Sequence, residues 1–193
     1  MDMTIENKCN MPASARRMAR VAGVFYIINI VTAMYAYFGP RNRMAFYADI
    51  AATVAYVAVT VLFYLLFRPV SRSLSLLAAC ISMAGSAMGV LHMMHRMPFK
   101  IEILVFFSLY CLLIGFLILR STFLPRILGV LMILAGVGYA AYFWPPLAKQ
   151  LYPYDVIPGA LGEWTLTVWL LVKGVNGERW AEQVRVKDLE AES

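Results

Sequence analysis

Residues 101–146 read IEILVFFSLYCLLIGFLILRSTFLPRILGVLMILAGVGYAAYFWPP. The stretch contains two apolar runs, 101–119 and 124–143. Arg120 ends the first run, and a proline–arginine pair at 125–126 stands at the start of the second. Each run has about the 20 residues that an α-helix needs to cross the hydrocarbon core of a bilayer. The runs are continuous rather than alternating, and a helix satisfies its own backbone hydrogen bonds in lipid. This stretch therefore predicts two neighbouring transmembrane helices.

Composition extends this prediction to the whole chain. Of the 193 residues, 62% are hydrophobic and 15% are charged, whereas soluble domains carry about 25% charged residues. A soluble fold of this size has too little interior for so many apolar side chains, but lipid can solvate them. We therefore predict an all-α polytopic membrane protein, a bundle of six transmembrane helices. The other four apolar runs cover residues 21–38, 47–67, 74–94 and 156–172, and the outer end of the last is expected between Tyr152 and Val156.

The two ends of the chain are polar. Residues 1–15 predict a flexible cytoplasmic tail, residues 16–175 the six-helix domain, and residues 176–193 a second cytoplasmic tail. Basic residues precede the first apolar run, as they do in a signal peptide. The run is longer than the apolar part of a signal peptide, and no small-x-small cleavage site follows it. It is therefore interpreted as a retained helix.

The distribution of basic residues predicts the orientation. When the N-terminus is placed inside, twelve of the 17 lysines and arginines lie on the cytoplasmic side and five on the outer side. This bias is typical of cytoplasmic loops, and an even number of spans returns the C-terminus to the same side. The net charge of +6 is not accompanied by a basic stripe or a recognition motif. Nucleic acid is therefore not an expected partner.

Glu163 is the clearest candidate for a functional group inside the membrane. It lies in the sixth predicted span, and a charged carboxylate at the bilayer centre costs about 2.5–3.5 kcal/mol. We therefore expect it to face the bundle interior, with Thr167 one turn away on the same face. Three interpretations stay open, namely an interhelical hydrogen bond of structural value only, a ligand or proton site, and simple exposure of the side chain.

The end of the third predicted span carries candidate metal ligands. Met88, His92 and His95 are spaced i, i+4 and i+7, so they share one helical face. Imidazole and thioether groups suit copper or haem iron. Two histidines do not complete such a site, and histidines at a helix end also lie among lipid headgroups without metal. No cofactor is therefore predicted, and a metal or haem site is kept as an alternative.

The same span also presents a face of small residues. Ser82, Gly85, Ser86 and Gly89 recur at helical spacing. Small side chains let helix backbones approach closely in lipid, where association relies on packing. The expected contact is with a helix of the same chain, and a homodimer contact is the alternative.

Several acidic residues fall near the outer face under this topology. Asp49, Glu102 and Asp155 lie there together with the two histidines and Glu163. One interpretation is a polar pocket that opens outward, and the other is a set of solvated residues at the rim. The choice depends on the order of the helices in the bundle.

Four segments carry a resemblance to a known family. They are RRMARVAG at residues 16–23, RPVSRSL at 68–74, FLPRILG at 123–129 and WLLVKGV at 169–175. Together they resemble a large family of bacterial multi-pass membrane proteins catalogued as a domain of unknown function. The resemblance implies a protein of the bacterial inner membrane and transfers no catalytic residue. It also implies a histidine in the fourth span where this chain has Tyr110, which makes Tyr110 a candidate ligand or proton-site residue.

No familiar catalytic signature accompanies these features, because the chain lacks HExxH, GxSxG and Walker A motifs. An enzyme is therefore expected less than a non-enzymatic protein. We predict an integral membrane protein that binds a small hydrophobic or amphipathic ligand, or that acts as an accessory membrane subunit. A small-solute or proton-coupled transporter using Glu163 is the first alternative, and a metal, haem or redox protein using His92 and His95 is the second. The lipid bilayer is the expected partner, with a homo-oligomer as a further option.

Overall fold

A computed structural model describes residues 3–40, 42–93 and 103–192, with side chains described from Pro12 onward except those of 37, 92, 93 and 190–192. Within these ranges the chain forms eight α-helices, one short 3-10 helix and no strand. The predicted all-α class is confirmed. The α-helices are α1 (Met3–Phe38), α2 (Arg43–Phe67), α3 (Arg72–Met93), α4 (Ile103–Arg120), α5 (Arg126–Tyr139), α6 (Pro145–Leu151), α7 (Ile157–Val172) and α8 (Gly177–Glu192), and the 3-10 helix Ala140–Phe143 continues α5.

Five helical segments of the described chain are long and apolar enough to cross a membrane. They agree with the first five predicted spans, so the chain is a helical membrane protein. The remaining apolar helix, α7, has 16 residues, which is about 24 Å at 1.5 Å per residue against a hydrocarbon core of about 30 Å. A sixth crossing by α7 therefore stays a prediction, and α7 begins at Ile157 rather than nearer Tyr152 because residues 152–156 form turns. The five segments are Pro12–Ala36, Arg43–Phe67, Arg72–Leu91, Ile103–Arg120 and Arg126–Phe143.

Local sequence explains where two of these helices start. The side-chain oxygen of Asn42 accepts a hydrogen bond from the backbone N–H of Ala45 at 3.0 Å and so caps α2. Pro125 stands directly before α5 with φ −65°, where its missing N–H costs no helical hydrogen bond. The polar and proline residues between the apolar runs therefore act as helix boundaries.

The six longer helices before α8 pack as a closed ring in chain order. Each of α1 to α4 packs on the next helix, α5 packs on α7, and α7 returns to α1. Between α1 and α7, a Cβ atom added at Gly23 would lie 2.9 Å from the Leu171 side chain, so this approach depends on glycine. Ring closure creates an interior that is separated from the outer surface on every side.

The outer surface of the ring is apolar. Every helix of the ring exposes large aliphatic or aromatic side chains, which a protein in water would bury. Such a continuous apolar exterior fits contact with hydrocarbon. Examples are Val24 and Val31 on α1, Val54 and Val61 on α2, Leu76 and Leu77 on α3, Phe116 on α4, Leu134 and Val137 on α5, and Leu161 and Val168 on α7.

One end of the bundle, called the basic end below, carries Arg68, Arg120 and Lys173 at helix termini, and Arg16 near the start of the apolar segment of α1. Helix α8 lies across this end. The backbone N–H of Asn176 donates to the carbonyl of Phe123 at 3.1 Å. The two predicted tails are thus helical in the structure, because α1 begins at Met3 and residues 177–192 form α8.

Helix α8 is held in place from two further sides. The indole N–H of Trp180 donates to the carbonyl of Leu66 at 2.9 Å, and the Lys187 ammonium donates to the carbonyl of Val70 at 3.3 Å. Leu66 lies in the last turn of α2, where helix carbonyls lack an intrahelical partner. The C-terminal helix therefore ties α2 to the α4–α5 connection.

Candidate functional site

Glu163 faces the interior of the ring rather than the lipid. The phenol O–H of Tyr139, on α5, donates to Glu163 Oε1 at 3.1 Å, and the Glu163 side chain is half-buried. An acidic side chain in an apolar helix needs such a partner, because burying a polar group without a hydrogen bond is costly. The Tyr139–Glu163 pair joins α5 to α7.

Two glycines on α7 allow this pair to form. A Cβ atom at Gly159 would collide with the Tyr139 ring, and one at Gly162 would lie 2.9 Å from the carbonyl of Leu131. The missing side chains let α7 approach α5 closely, as small residues do in membrane bundles. The position of Tyr139 beside Glu163 therefore depends on the glycines that precede Glu163 in α7.

Four buried tyrosines from four helices lie in the interior of the bundle that Glu163 faces. Tyr26, Tyr56, Tyr110 and Tyr139 lie on α1, α2, α4 and α5 and belong to one buried core, and Tyr139 hydrogen-bonds Glu163. Tyr56 packs edge-to-face on Tyr110 with 5.9 Å between ring centroids. We call these four tyrosines and Glu163 the interior polar cluster.

Two hydroxyls of the interior polar cluster lack a hydrogen bond. Tyr26 is 0% and Tyr110 1% exposed, and neither hydroxyl reaches a partner within the described residues. Buried polar groups are almost always paired, so each unpaired group calls for an explanation such as an ordered water or a ligand. Of the three predicted ligand-site residues, Tyr110 is thus buried in the interior of the bundle, and Glu163 joins that interior through its bond to Tyr139.

The third of these residues, Thr167, is placed differently. Its side chain is fully buried, and its hydroxyl donates to the backbone carbonyl of Glu163 at 2.7 Å. The hydroxyl is therefore engaged inside its own helix. Thr167 extends the polar face of α7 as predicted from its spacing, but it adds no free donor to the cluster.

The small residues of α3 pack within the chain. Ser82 hydrogen-bonds Thr60 of α2 at 2.6 Å, and the Ser86 hydroxyl donates to the carbonyl of Ser82 at 3.0 Å. A Cβ atom at Gly85 would lie 2.9 Å from Phe106 of α4, whereas one at Gly89 would meet only Ile103 at 3.7 Å. The close approach expected for this face is thus made to α2 and α4.

The predicted metal ligands fall mostly outside the described residues. Met88 lies half-buried on α3, but the side chain of His92 and all of His95 and Glu102 are outside the described part of the chain. Among the residues searched there, no group of three or more His, Cys, Asp or Glu side chains could hold a metal ion. The metal or haem alternative stays a prediction.

Asp155, one of the predicted outer acidic residues, is not bonded to Glu163 among the described residues. Glu163 takes its hydrogen bond from Tyr139, whereas Asp155 is buried in the turn before α7, with neither carboxylate oxygen bonded within the described residues. Asp49 lies in the second turn of α2, and its carbonyl accepts from Thr53. The described residues therefore show no bond between Glu163 and Asp155, and the polar pocket that opens outward stays a prediction.

Two clefts flank the last turn of α7 at the basic end. The first, the basic cleft, has a volume of about 370 Å³ and is lined by polar and basic side chains. The second, the apolar cleft, has a volume of about 420 Å³ and is lined mainly by Trp164, Val168 and Val172. Trp169 and Lys173 line both clefts. The basic cleft is lined by Arg16, Thr122, Phe123, Leu124, Pro125, Trp169, Lys173, Gly174, Val175, Asn176 and Arg179.

Reasoning from the sequence alone missed most of the interior polar cluster. Tyr26, Tyr56 and Tyr139 stand inside apolar runs, where a phenol O–H needs a partner when it is buried. Their position inside apolar runs is the signal from which these tyrosines could have been identified as candidate site residues. The basic residues of the first cleft were interpreted only as topology signals.

Comparisons with known proteins agree with the resemblance carried by the four segments. A family model described as a domain of unknown function (DUF4386) matches residues 94–174, which include Tyr110, Tyr139 and Glu163. An uncharacterized protein of Archaeoglobus fulgidus is 31% identical over 125 residues, which cover 61% of this chain and 76% of that relative. No solved structure matches the chain.

Proposed function

This chain belongs to the family described as a domain of unknown function (DUF4386), and from its own site we propose that it is a non-enzymatic membrane protein that binds a small amphipathic ligand inside the helix bundle. The ligand would be held by the interior polar cluster. An accessory role beside another membrane subunit would use the same site.

The observation that carries this proposal is the pair of unpartnered hydroxyls on Tyr26 and Tyr110. Leaving a buried donor unpaired costs about 1–3 kcal/mol. A ligand with hydrogen-bond acceptors would remove that cost for both phenols at once. Its apolar part would meet aromatic rings, since Phe107 stacks on Tyr56 with 5.1 Å between centroids and contacts Tyr139 edge-on.

Native mass spectrometry in a mild detergent tests the proposal. The double variant Tyr26→Phe/Tyr110→Phe keeps both rings and removes both hydroxyls. We expect the wild-type protein to retain a small-molecule mass that the double variant loses, while the melting temperature of the double variant does not fall.

The matched control is Tyr35→Phe on the same helix as Tyr26, because Tyr35 is exposed. This variant should retain the ligand. A wild-type protein with no bound mass, or a double variant that retains the mass, would contradict the proposal.

Proton-coupled transport is a second candidate, and the inward orientation of Glu163 favours it. Carboxylates inside membrane bundles are typical of proton relays. Glu163→Gln keeps an acceptor for the Tyr139 hydroxyl and removes the titrating group. In liposomes with a pH-sensitive dye inside, we expect the wild-type protein to conduct protons and Glu163→Gln not to do so. Equal proton flux through both proteins would exclude this role.

We also propose six crossings, with α7 as the sixth and the basic end in the cytoplasm of a bacterial inner membrane. The closed ring supports α7 as a span, because it packs on both α5 and α1. The excess of lysine and arginine at the basic end supports the orientation.

A further inference from the structure

Three cations from three helices line the basic cleft. Arg16 comes from α1, Lys173 from the end of α7, and Arg179 from the first turn of α8. None of the three pairs with an acidic side chain of the described residues. The Lys173 ammonium lies 4.9 Å from the centre of the Trp169 ring, and Arg179 donates to the carbonyl of Thr122 at 3.4 Å. Their positive charges are therefore available to an anion.

The walls of the basic cleft are fixed by backbone contacts. Gly174 adopts φ +67°, a conformation that favours glycine, and a Cβ atom there would lie 3.2 Å from the Arg16 side chain. Asn176 Oδ1 accepts from the backbone N–H of Arg179 at 3.2 Å. The turn between α7 and α8 thus holds the stem of Arg16 on one side and positions Arg179 on the other.

From this arrangement we propose that the basic cleft binds a phosphate group. Guanidinium groups match the oxygens of phosphate and can bind them in pairs, and an ammonium adds a point charge. The side-chain amide of Asn176 lines the cleft beside them as a neutral donor, whereas the Thr122 hydroxyl donates to Gln183 Oε1 at 3.3 Å. This site is separate from the interior polar cluster and does not depend on the function proposed for that cluster.

The neighbouring apolar cleft favours a lipid as the source of the phosphate. The two clefts share Trp169 and Lys173, so a headgroup in the basic cleft would direct an acyl chain along Val172 and Val168. An anionic phospholipid has both parts. A soluble phosphate ester needs only the basic cleft.

The experiment uses the purified full-length protein in a mild detergent and two probes. In the first arm, native mass spectrometry measures the binding of phosphatidylglycerol and of phosphatidylcholine with the same acyl chains. In the second arm, inorganic phosphate is added at constant ionic strength with chloride as the reference, and the melting temperature is measured. The test variant is Arg16→Gln/Arg179→Gln. The control is Arg17→Gln/Arg72→Gln, which removes two exposed arginines that do not line the cleft.

For a lipid site, the wild-type and control proteins prefer phosphatidylglycerol, and the test variant binds it at least about tenfold more weakly, a loss of about 1.4 kcal/mol. For a soluble phosphate ester, phosphate raises the melting temperature of wild-type and control proteins only, without a lipid preference. Both results support a phosphate site. The proposal is overturned if the wild-type protein shows neither effect, or if the control loses as much as the test variant. If the test variant does not fold, the same two measurements on the wild-type protein and on Lys173→Gln test the proposal.

Discussion

At the scale of single residues, the Tyr139 hydroxyl determines how Glu163 is accommodated. Glu163 lies in an apolar helix, and its carboxylate accepts a hydrogen bond from the Tyr139 hydroxyl at 3.1 Å. Lipid offers a carboxyl group no water to bond to instead. Even a modest hydrogen bond therefore orients the side chain. Hydrogen bonds between membrane helices contribute about 0.6 kcal/mol on average and up to about 1.7 kcal/mol.

We predict that Tyr139→Phe lowers the free energy of unfolding by about 0.6–1.7 kcal/mol, because it removes this bond without removing the ring. Titration with a denaturing detergent, followed by circular dichroism, measures the change. Glu163→Gln is the matched control, since its amide oxygen still accepts from Tyr139 and the loss should be smaller. If Glu163→Gln costs more than Tyr139→Phe, the charge of the carboxylate rather than the bond stabilises the fold.

At the scale of elements, glycines set the distance between neighbouring helices. A Cβ atom at Gly115 would lie 2.8 Å from the carbonyl oxygen of Gly129, and one at Gly129 would lie 2.8 Å from the carbonyl oxygen of Gly115. A backbone cannot move aside to make room for an added methyl group, as a flexible side chain can. Between α4 and α5 the contact is therefore made by the main chains, and Ser108 adds a hydrogen bond to the carbonyl of Gly136 at 2.8 Å.

We predict that Gly115→Ala destabilises the bundle by about 1–3 kcal/mol, the usual cost of overpacking a close interface. A lower melting temperature and a lower yield of monodisperse protein would show it. Gly89→Ala is the control, because its Cβ atom would meet only Ile103 at an ordinary 3.7 Å. Equal melting temperatures for the two variants would contradict a main-chain contact between α4 and α5.

The attachment of α8 is a second feature at this scale. We predict that Trp180→Phe costs about 0.5–1.5 kcal/mol, because the Leu66 carbonyl at the end of α2 loses its donor. Trp164→Phe removes an indole from α7 that makes no such bond and should cost less. Hydrogen–deuterium exchange of α8 reports the difference, and unchanged protection of α8 in Trp180→Phe would show that its attachment does not depend on this indole.

At the scale of the whole molecule, the ring of helices closes only if α7 lies beside α1. Gly23 of α1 leaves room for Leu171, and Gly174 leaves room for Arg16. Both contacts lie at the C-terminal end of α7 and fix that end of the 16-residue helix beside α1.

We predict that Lys149→Cys is labelled by a membrane-impermeant maleimide in intact cells, whereas Glu182→Cys is labelled only after the cells are permeabilised. Both variants are made in a background without the natural cysteines. The reason is that α6 precedes α7 and α8 follows it, so the proposed crossing by α7 would place the two helices on opposite sides of the membrane. Labelling of both positions in intact cells would mean that α7 does not cross or that the orientation is reversed.

The fold class and the positions of five apolar spans could be predicted from the sequence, although the first span begins earlier in the structure than predicted. Continuous apolar runs are a local property, and a bilayer admits few structures besides a helix of matching length. The same reasoning placed Glu163 toward the interior and identified Pro125 as a helix boundary. Each of these statements depends on residues that are close together along the chain.

Only the tertiary structure decided which residues meet. Tyr26, Tyr110 and Glu163 are brought together by the order and rotation of the helices, and Arg16 and Arg179 by the path of α8 across the basic end. Helix order and rotation follow from packing between distant segments, which local apolar patterns do not encode. The pattern of spans can therefore be predicted from the sequence. The interior polar cluster and the basic cleft, in contrast, arise from side-chain contacts between segments far apart in the chain.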